Sequence, residues 1–313
     1  MLGRWMSHHW PRVVRRVASW RSRRHLERVR RFKVRQMRDR EPHDDSPKVS
    51  FAVQSFNHVE NIGTISKRLQ RLPGTELIVC EDGSIDGSFE RWSQVLTGSN
   101  DFLVRSNDLH EIRTYDRAVE FARGEIVCLL QDDDIPPSNS EWLDKAVQVF
   151  DQYPKLAILG GYHAFLNLDI EEESGHLVHA YPKQGPSHRT TDGLPFQFVE
   201  MINGAPILIR REALRQMGGL DLSYSPVGEP GIHYDHEICL RAWSRGFQVG
   251  WNPMPFMRFV GGSGTKIFGQ MDKRIARAHK NQTKLVAMYG AQLASVQAEV
   301  RCLNEELPSA SAD

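Results

Sequence analysis

The sequence predicts an α/β protein with a doubly wound, mostly parallel sheet and helices on both faces. Apolar runs typical of buried strands occupy Val49–Phe56, Glu76–Cys80 and Glu125–Leu130, and a weaker run occupies Phe102–Arg105. Segments with helical periodicity separate these runs. Strands that alternate with helices need crossover connections, and such connections produce parallel strands that are covered on both faces.

The predicted helices lie near Val59–Leu72, Gly87–Leu96 and Glu111–Ala122. Further along the chain, residues 162–200 contain scattered His and Pro and are predicted to form a long variable loop. The segment past Lys280 has helical periodicity and is predicted to form a tail that packs either on the domain or on another subunit. A chain of 313 residues with 40% hydrophobic residues is long enough for one large core.

The charge of the chain is unevenly distributed. Residues 1–40 contain 14 Lys and Arg residues and two acids, a net charge of +12, so the rest of the chain carries −11 of the total of +1. Trp10, Val13, Val17 and Trp20 have helical spacing within this basic arm, which predicts an amphipathic helix. The arm therefore has a different partner from the acidic remainder.

The composition of the arm fits three environments, namely solvent alone, nucleic acid and anionic lipid. The Trp and Val stripe favours a helix on an anionic membrane surface, and nucleic acid is not expected because no nucleic-acid motif follows. An Arg-rich transit peptide remains an alternative. The apolar stretches are shorter than a membrane span, so we expect a cytoplasmic protein that is peripheral to the inner face of the membrane.

The predicted domain organisation follows from these changes in composition. Residues 1–40 form the basic arm, 41–48 a polar linker with two prolines, 49–290 the main globular domain and 291–313 a helical tail. The four cysteines (Cys80, Cys128, Cys239 and Cys302) are far apart in apolar segments, so we expect buried free thiols.

Acidic residues follow two of the predicted strands. The second strand leads into Glu81 and Asp82, and the third leads into Asp132, Asp133 and Asp134. A solvated turn explains one of the three adjacent aspartates but not all of them. The carboxyl ends of parallel strands meet at one crevice, and clustered carboxylates there suit Mg²⁺ or Mn²⁺. The sequence therefore predicts a metal site.

Five segments in order resemble the family 2 glycosyltransferases, which are inverting enzymes with the GT-A fold. Three of these segments are ELIVCEDGSIDGS, ARGEIVCLLQDDDIPP and YDHEICLRAWSRGFQVGW, and the other two are VSFAVQSFNHVENI and ILIRREALRQMGGLD. The resemblance extends from about residue 48 to about residue 260. It departs from the family pattern at Glu81, where an aspartate is usual, and at Gln131, where the first acid of Asp-x-Asp would align.

The resemblance implies a nucleotide-diphosphate sugar as donor, with a UDP-sugar favoured, and Mn²⁺ or Mg²⁺ as cofactor. The implied metal ligands are Asp133, which is favoured, and Asp134, while a pair of Asp132 with Asp134 remains an alternative. Asp82 is the first choice for contacting the base, and Glu81 the second. The full set of predicted nucleotide-sugar-binding residues is Phe56, Asn57, Glu81, Asp82, Ser84 and Asp132.

An alternative role for Asp82, Ser84 or Asp86 is to cap a helix or close an Asx turn. For the phosphates, the candidates are His279, Lys280 and the glycine-rich residues 261–266, although His279 also suits an ordinary surface position.

The predicted base is a carboxylate, because inversion requires the acceptor hydroxyl to lose its proton on the face opposite the leaving group. Asp235 and Glu237 align with the acidic pair of the family. Residues i and i+2 of a helix face different ways, so at most one points into the site, and Asp235 is preferred. Both acids also suit a helix N-terminus without a catalytic role.

The predicted acceptor region includes Asn203 and Gly204, and the expected acceptor is a hydroxyl of a glycan or of a lipid-linked molecule in cell-surface polysaccharide synthesis. The rival enzyme class, a nucleotidyltransferase, lacks support because QSFNHVENIG has only one late glycine where a phosphate loop would need several. A catalytically inactive relative that binds an oligosaccharide or acts as a scaffold is the alternative function.

Overall fold

The computed structural model describes residues 47–70, 72–98, 101–107, 109–182, 185–258 and 271–310. The predicted basic arm, nearly all of the linker and the glycine-rich residues 261–266 lie outside the described residues. No helix within the described residues is long and apolar enough to cross a membrane.

The central sheet has eight strands in the order β3-β2-β1-β4-β11-β6-β12-β9. Their bounds are β1 Val49–Ser55, β2 Thr75–Glu81, β3 Phe102–Arg105, β4 Ile126–Gln131, β6 Leu156–Gly160, β9 Gln197–Phe198, β11 Ile207–Arg210 and β12 Gln248–Trp251. All neighbours are parallel except β11 with β4 and β6, and β9 with β12. The predicted doubly wound, mostly parallel sheet is confirmed, and its first four strands lie within one residue of the predicted bounds.

The three helices predicted between the first strands are present, with ends within three residues of the predicted bounds. Their bounds are α1 Val59–Leu69, α2 Ser88–Val95, α3 His110–Phe121, α4 Glu141–Gln152, α5 Arg211–Gln216, α6 Tyr234–Ser244, α7 Met271–Tyr289 and α8 Leu293–Glu305. The apolar positions of α1 recur at helical spacing, and Ile62, Ile65 and Leu69 are fully buried. Burial of each such side chain stabilises the fold by about 1.5–3 kcal/mol.

The base of the sheet is held by a buried carboxylate, Glu76. Its Oε1 accepts hydrogen bonds from the Ser50 hydroxyl at 2.6 Å and from the Arg123 backbone at 2.7 Å, and Oε2 forms an ion pair with the Arg123 guanidinium at 2.9 Å. Gly124 follows directly, and a Cβ there would lie 2.6 Å from the backbone nitrogen of Ser50. A side chain at position 124 would therefore push β1 and β4 apart.

The prediction of a long loop over residues 162–200 is wrong. This segment contains β7 (His163–Ile170) and β8 (Leu177–Ala180), which form a three-stranded antiparallel sheet with β10 (Met201–Asn203), as well as β9. Inward-facing Phe165 and Leu168 are buried on β7. The strands were missed because their outer positions carry His, Asn and Asp, which are residues typical of loops.

The C-terminal helices pack on the same domain. Leu285 of α7 and Val296 of α8 are buried, and the Asn304 side chain exchanges two hydrogen bonds of 2.9 Å with the backbone of Phe198 in the edge strand β9. Of the two alternatives for the tail, the structure therefore shows packing on the domain. Three of the four cysteines are free and buried as expected, but Cys302 on α8 is exposed.

Candidate active site

The three adjacent aspartates after β4 do not act as one cluster. Asp132 turns toward the end of β1, where its Oδ2 accepts a 2.6 Å hydrogen bond from the backbone N–H of Phe56. Burial raises the pKa of Asp132 to about 7, although the neighbouring His58 and the Phe56 hydrogen bond oppose the rise. Burial alone would lower the pKa of His58, but the Asp132 and Glu60 carboxylates raise it. Asp132 therefore fastens β4 to β1.

Asp134 turns the other way and belongs to a short strand, β5 (Asp134–Ile135), which pairs with β13 (Met257–Arg258). Its Oδ1 accepts from Arg258 Nε at 3.2 Å, and its Oδ2 accepts from the Gln131 backbone at 2.9 Å. Burial raises the pKa of Asp134 to about 7 despite the Arg258 charge. Asp134 is paired with Arg258 and does not line the cavity that contains Asp133, so this geometry does not support the prediction of Asp134 as a metal ligand.

Asp133 points into a cavity of about 670 Å³ at the carboxyl edge of β4. It is 6% exposed, and its Oδ1 atom has no hydrogen-bond partner. Within the described residues, no group of three or more His, Cys, Asp or Glu side chains could hold a metal ion by itself. Mg²⁺ is commonly held by one or two carboxylates together with substrate phosphates, so Asp133 fits an ion shared with a diphosphate rather than a protein cage.

The ends of β1 and β2 are joined by side chains that were predicted to bind the nucleotide sugar. Asn57 has a positive φ of 56°, its backbone donates to the Ser84 hydroxyl at 3.0 Å, and its Oδ1 accepts from the Ile85 backbone at 2.9 Å. Glu81 is fully buried, and its Oε1 accepts from the Ser84 backbone. Asn57, Glu81 and Ser84 therefore form one connected group, called the rim below, beside Phe56 and Asp132.

Asp82 is already engaged by the protein. Its carboxylate accepts from the Ser106 hydroxyl at 3.0 Å and from the backbone N–H groups of Leu109 and His110 at 2.9 and 2.8 Å. Burial raises the pKa of Asp82, and these hydrogen bonds oppose the rise. Asp82 thus fixes the loop before α3, and the structure gives no support to its preferred role as the contact to the base. The alternative capping role also applies to Asp86, whose Oδ1 accepts from the Ser88 backbone at the start of α2.

Asp235 lines the same cavity as Asp133. It lies in the first turn of α6, after His233, whose φ of 65° aims the helix start at the cavity. The Asp235 Oδ2 atom accepts from the Gly204 backbone at 3.1 Å, and Oδ1 accepts from the His236 backbone at 3.0 Å. Asn203 and Gly204, the predicted acceptor residues, also line this cavity.

Glu237 does not reach the cavity. Its Oε2 pairs with Arg241 at 3.0 Å, its Oε1 accepts from the Tyr289 hydroxyl at 2.8 Å, and its side chain is 2% exposed. As expected for residues i and i+2 of a helix, Asp235 and Glu237 point in different directions. The structure assigns Glu237 to a buried ion pair, and its role as the alternative base has no geometric support.

Three charged residues of the cavity were missed from the sequence. Glu111 at the start of α3 accepts from the Gln131 side chain, and burial together with the Asp235 charge raises the pKa of Glu111 to about 7. Arg258 and Arg274 also line the cavity. Arg258 donates to Asp134 and, at 3.1 Å, to the Gly204 carbonyl. Only contacts between distant segments reveal these residues, so no local motif signals them.

The side chains proposed from the sequence for the phosphates lie elsewhere. His279 and Lys280 of α7 are exposed and do not line the cavity. His279 instead contacts His176, with 3.5 Å between their ring nitrogens. Arg274, five residues earlier on α7, is the member of this helix that reaches the cavity.

Comparison with known proteins finds a solved structure of similar fold and a matching protein family. A mannosyltransferase from Pyrobaculum calidifontis, solved with GDP-Man and Mn²⁺, aligns with 82% of this chain and 69% of its own, at 17% identity and a TM-score of 0.53. S. aureus TarS (residues 1–349), solved with UDP-GlcNAc, aligns with 70% of this chain and 60% of its own, at 16% identity and a TM-score of 0.46.

An uncharacterized protein, y4gI of Sinorhizobium fredii (strain NBRC 101917 / NGR234), is 26% identical over 230 residues. That alignment covers 68% of this chain, which spans about a quarter of the length of y4gI. The family model described as glycosyl transferase family 2 matches residues 50–218, more than half of the chain and the part that contains β1, β2 and the three aspartates. The chain therefore belongs to glycosyl transferase family 2.

Proposed function

We propose that the protein is an inverting glycosyltransferase that moves a sugar from a nucleotide-diphosphate sugar to an acceptor hydroxyl. The observation that carries this proposal is that Asp133, in the turn after β4, and Asp235, in α6, line one cavity of about 670 Å³ at the carboxyl edge of the sheet. Ligands of open α/β sheets bind at this edge. Family membership and the fold shared with a mannosyltransferase support the same reaction class.

The donor is proposed to lie with its nucleotide over the rim formed by Asn57, Glu81 and Ser84. Its diphosphate is proposed to lie between this rim and Asp133, because Asp132, the neighbour of Asp133, accepts a hydrogen bond from Phe56 beside the rim. Arg274 and Arg258 line the cavity and supply positive charge near the departing diphosphate. A UDP-sugar remains the predicted donor.

Asp133, whose buried Oδ1 has no hydrogen-bond partner, would hold a divalent cation, Mn²⁺ or Mg²⁺, together with the donor diphosphate. When bound, such an ion takes up charge that develops on the leaving diphosphate. Asp134 is not proposed as a ligand, because it is paired with Arg258 and does not line the cavity.

The base is proposed to be Asp235. The acceptor oxygen forms a bond to the anomeric carbon as its proton passes to the Asp235 carboxylate. The bond between the anomeric carbon and the phosphate oxygen breaks, and its electron pair leaves with the nucleotide diphosphate. The Gly204 N–H that donates to Asp235 orients the carboxylate and leaves it lone pairs for the acceptor hydroxyl.

The cellular location of the protein and the class of its acceptor are proposed from the sequence. The basic, Trp-containing residues 1–40 suit an anionic membrane surface, so we place the protein at the cytoplasmic face of a membrane, where lipid-linked or polysaccharide acceptors are available. A role in cell-surface polysaccharide synthesis stays a prediction, as does the absence of a nucleic-acid partner.

A donor screen tests the proposal. Purified full-length protein is incubated with a panel of UDP- and GDP-sugars and Mn²⁺, without acceptor, and release of the nucleotide diphosphate is measured. Slow hydrolysis of at least one donor, lost in Asp133→Asn, is the expected result. Binding without release of the diphosphate from any donor would favour the alternative function, an inactive oligosaccharide-binding or scaffold protein.

A further inference from the structure

One wall of the cavity is built from aromatic rings. Phe165 of β7 packs edge-to-face against His179, with ring centroids 4.1 Å apart, and against Tyr181 at 5.1 Å. His236 of α6 covers Phe165 at 5.0 Å in the same manner. These four residues, Phe165, His179, Tyr181 and His236, all line the cavity. They are called the aromatic wall below.

The aromatic wall is accessible on its outer side. Tyr181 is 53% exposed although its ring contacts Phe165 and His179, whose centroid lies 4.9 Å from its own. The core of the wall, Phe165, is 2% exposed. A half-exposed aromatic ring held in place by a buried partner is a pre-organised surface for a ligand, because its conformation is fixed before binding.

The wall carries little charge at neutral pH. Burial and the neighbouring His236 lower the pKa of His179, and burial lowers the pKa of His236 against the effect of Asp235. Burial lowers the pKa of the adjacent His233 to about 4. Neutral imidazoles offer both a donor and an acceptor at the ring edge, so the wall suits an uncharged polar ligand better than a phosphate.

A pyranose ring has the matching chemistry. One face of the ring presents C–H groups that pack on an aromatic face, and its edge presents hydroxyl groups that bond to the polar tips of Tyr and His. A polyprenyl chain lacks these hydroxyl groups and would leave the polar tips of the wall unpaired. The wall shares its cavity with Asp235, the proposed base. A sugar bound there has a hydroxyl group within the same cavity as that carboxylate.

We propose that the aromatic wall is an acceptor subsite for a pyranose ring, so that the acceptor is a glycan whose terminal sugar packs on Tyr181 and His179. This assignment rests on the proposed function, because it takes the cavity as the place of sugar transfer. It names the acceptor class, which family membership leaves open.

The test uses the full chain with Mn²⁺ and the donor found in the screen. Probes are methyl α- and β-pyranosides of glucose, galactose, mannose and N-acetylglucosamine, with citronellyl phosphate as the lipid probe. Binding is followed by saturation-transfer NMR and transfer by product analysis. At least one pyranoside is expected to bind and to accept sugar. Tyr181→Ala should raise the KM for that pyranoside about tenfold, while Tyr181→Trp should keep the KM of the unaltered protein.

Val178→Ala is the matched control, because Val178 is exposed on β8, next to His179 and three residues before Tyr181, and does not line the cavity. Val178→Ala should leave both the KM and donor hydrolysis unchanged. The proposal is overturned if no pyranoside binds, if only citronellyl phosphate accepts sugar, or if Tyr181→Ala leaves the KM unaltered. Absence of donor hydrolysis in the unaltered protein would instead overturn the proposed function.

Discussion

The Asp235 carboxylate and the Gly204 backbone are joined by a hydrogen bond of 3.1 Å, which holds the first turn of α6 against the segment after β10. Replacement of Asp235 by Asn keeps an oxygen for this bond and removes the charge that accepts a proton. We expect kcat for transfer to fall by about 10²–10⁴-fold with nearly unchanged donor affinity, measured by steady-state kinetics and calorimetry. A variant that keeps most of its kcat would show that the base lies elsewhere.

Glu237→Gln is the internal control for the same turn of helix. It leaves the Arg241 charge without its buried partner, so the free energy of unfolding should fall by roughly 2–4 kcal/mol. Turnover per folded molecule should change little, because Glu237 does not line the cavity. Denaturant unfolding and active-site titration separate the two quantities, and a loss of turnover without loss of stability would exchange the roles of the two acids.

Removal of the Asp133 charge should uncouple nucleotide binding from metal. The Oδ1 atom of Asp133 is buried and has no hydrogen-bond partner, so Asp133→Asn should cost little stability and should abolish the increase in UDP affinity that Mn²⁺ causes in the unaltered protein. Calorimetry with Mn²⁺ and with chelator measures this. Asp169→Asn, an exposed carboxylate on β7, is the control. Equal UDP affinity with metal and with chelator in the unaltered protein contradicts the metal site.

Glu111 predicts a pH dependence of stability. Its folded pKa of about 7 lies above the value near 4.5 of an exposed glutamate, so the folded state binds this proton more tightly. The stabilisation is complete below about pH 4.5 and is lost as the pH rises through 7. Glu111→Gln should therefore raise the Tm relative to the unaltered protein more at pH 8 than at pH 5.5, by about 2–4 °C.

The pKa values of Asp132 and Asp134 are also raised. Both residues remain in the variant, so the difference between the two proteins reports Glu111. Glu141→Gln, an exposed position on α4, is the control and should show no such difference. An equal Tm difference at the two pH values would contradict the assignment.

The basic arm supplies a prediction that depends only on the sequence. Full-length protein should sediment with anionic vesicles at low salt and less so at high salt, because each basic residue near such a surface adds about 1 kcal/mol that salt screens. A protein without residues 1–40 should lose this binding and retain donor hydrolysis. Equal sedimentation of the truncated and full-length proteins would show that the arm is not the anchor.

The sequence was most informative where a local pattern is sufficient. Mainly apolar runs located β1, β2 and β4, because strands buried on both faces are rich in apolar residues. The three aspartates were located and Asp133 was favoured for the cation, but the contacts of Asp132 and Asp134 were not predicted, since adjacent side chains diverge and only Asp133 of the three lines the cavity. Glu111 and the aromatic wall arise from contacts between segments distant in the chain, and β7 and β8 were hidden by their polar outer faces.

The two acids in the first turn of α6 have different roles: Glu237 forms a buried ion pair, and Asp235 lines the cavity. Random mutagenesis sorted for protein abundance should deplete substitutions of Glu237, whose carboxylate links α6 to Tyr289 of α7, and should tolerate Asn at position 235. Sorting for product should deplete both. Position 235 can therefore be substituted without loss of folded protein, provided that Glu237, Arg241 and Tyr289 are all retained.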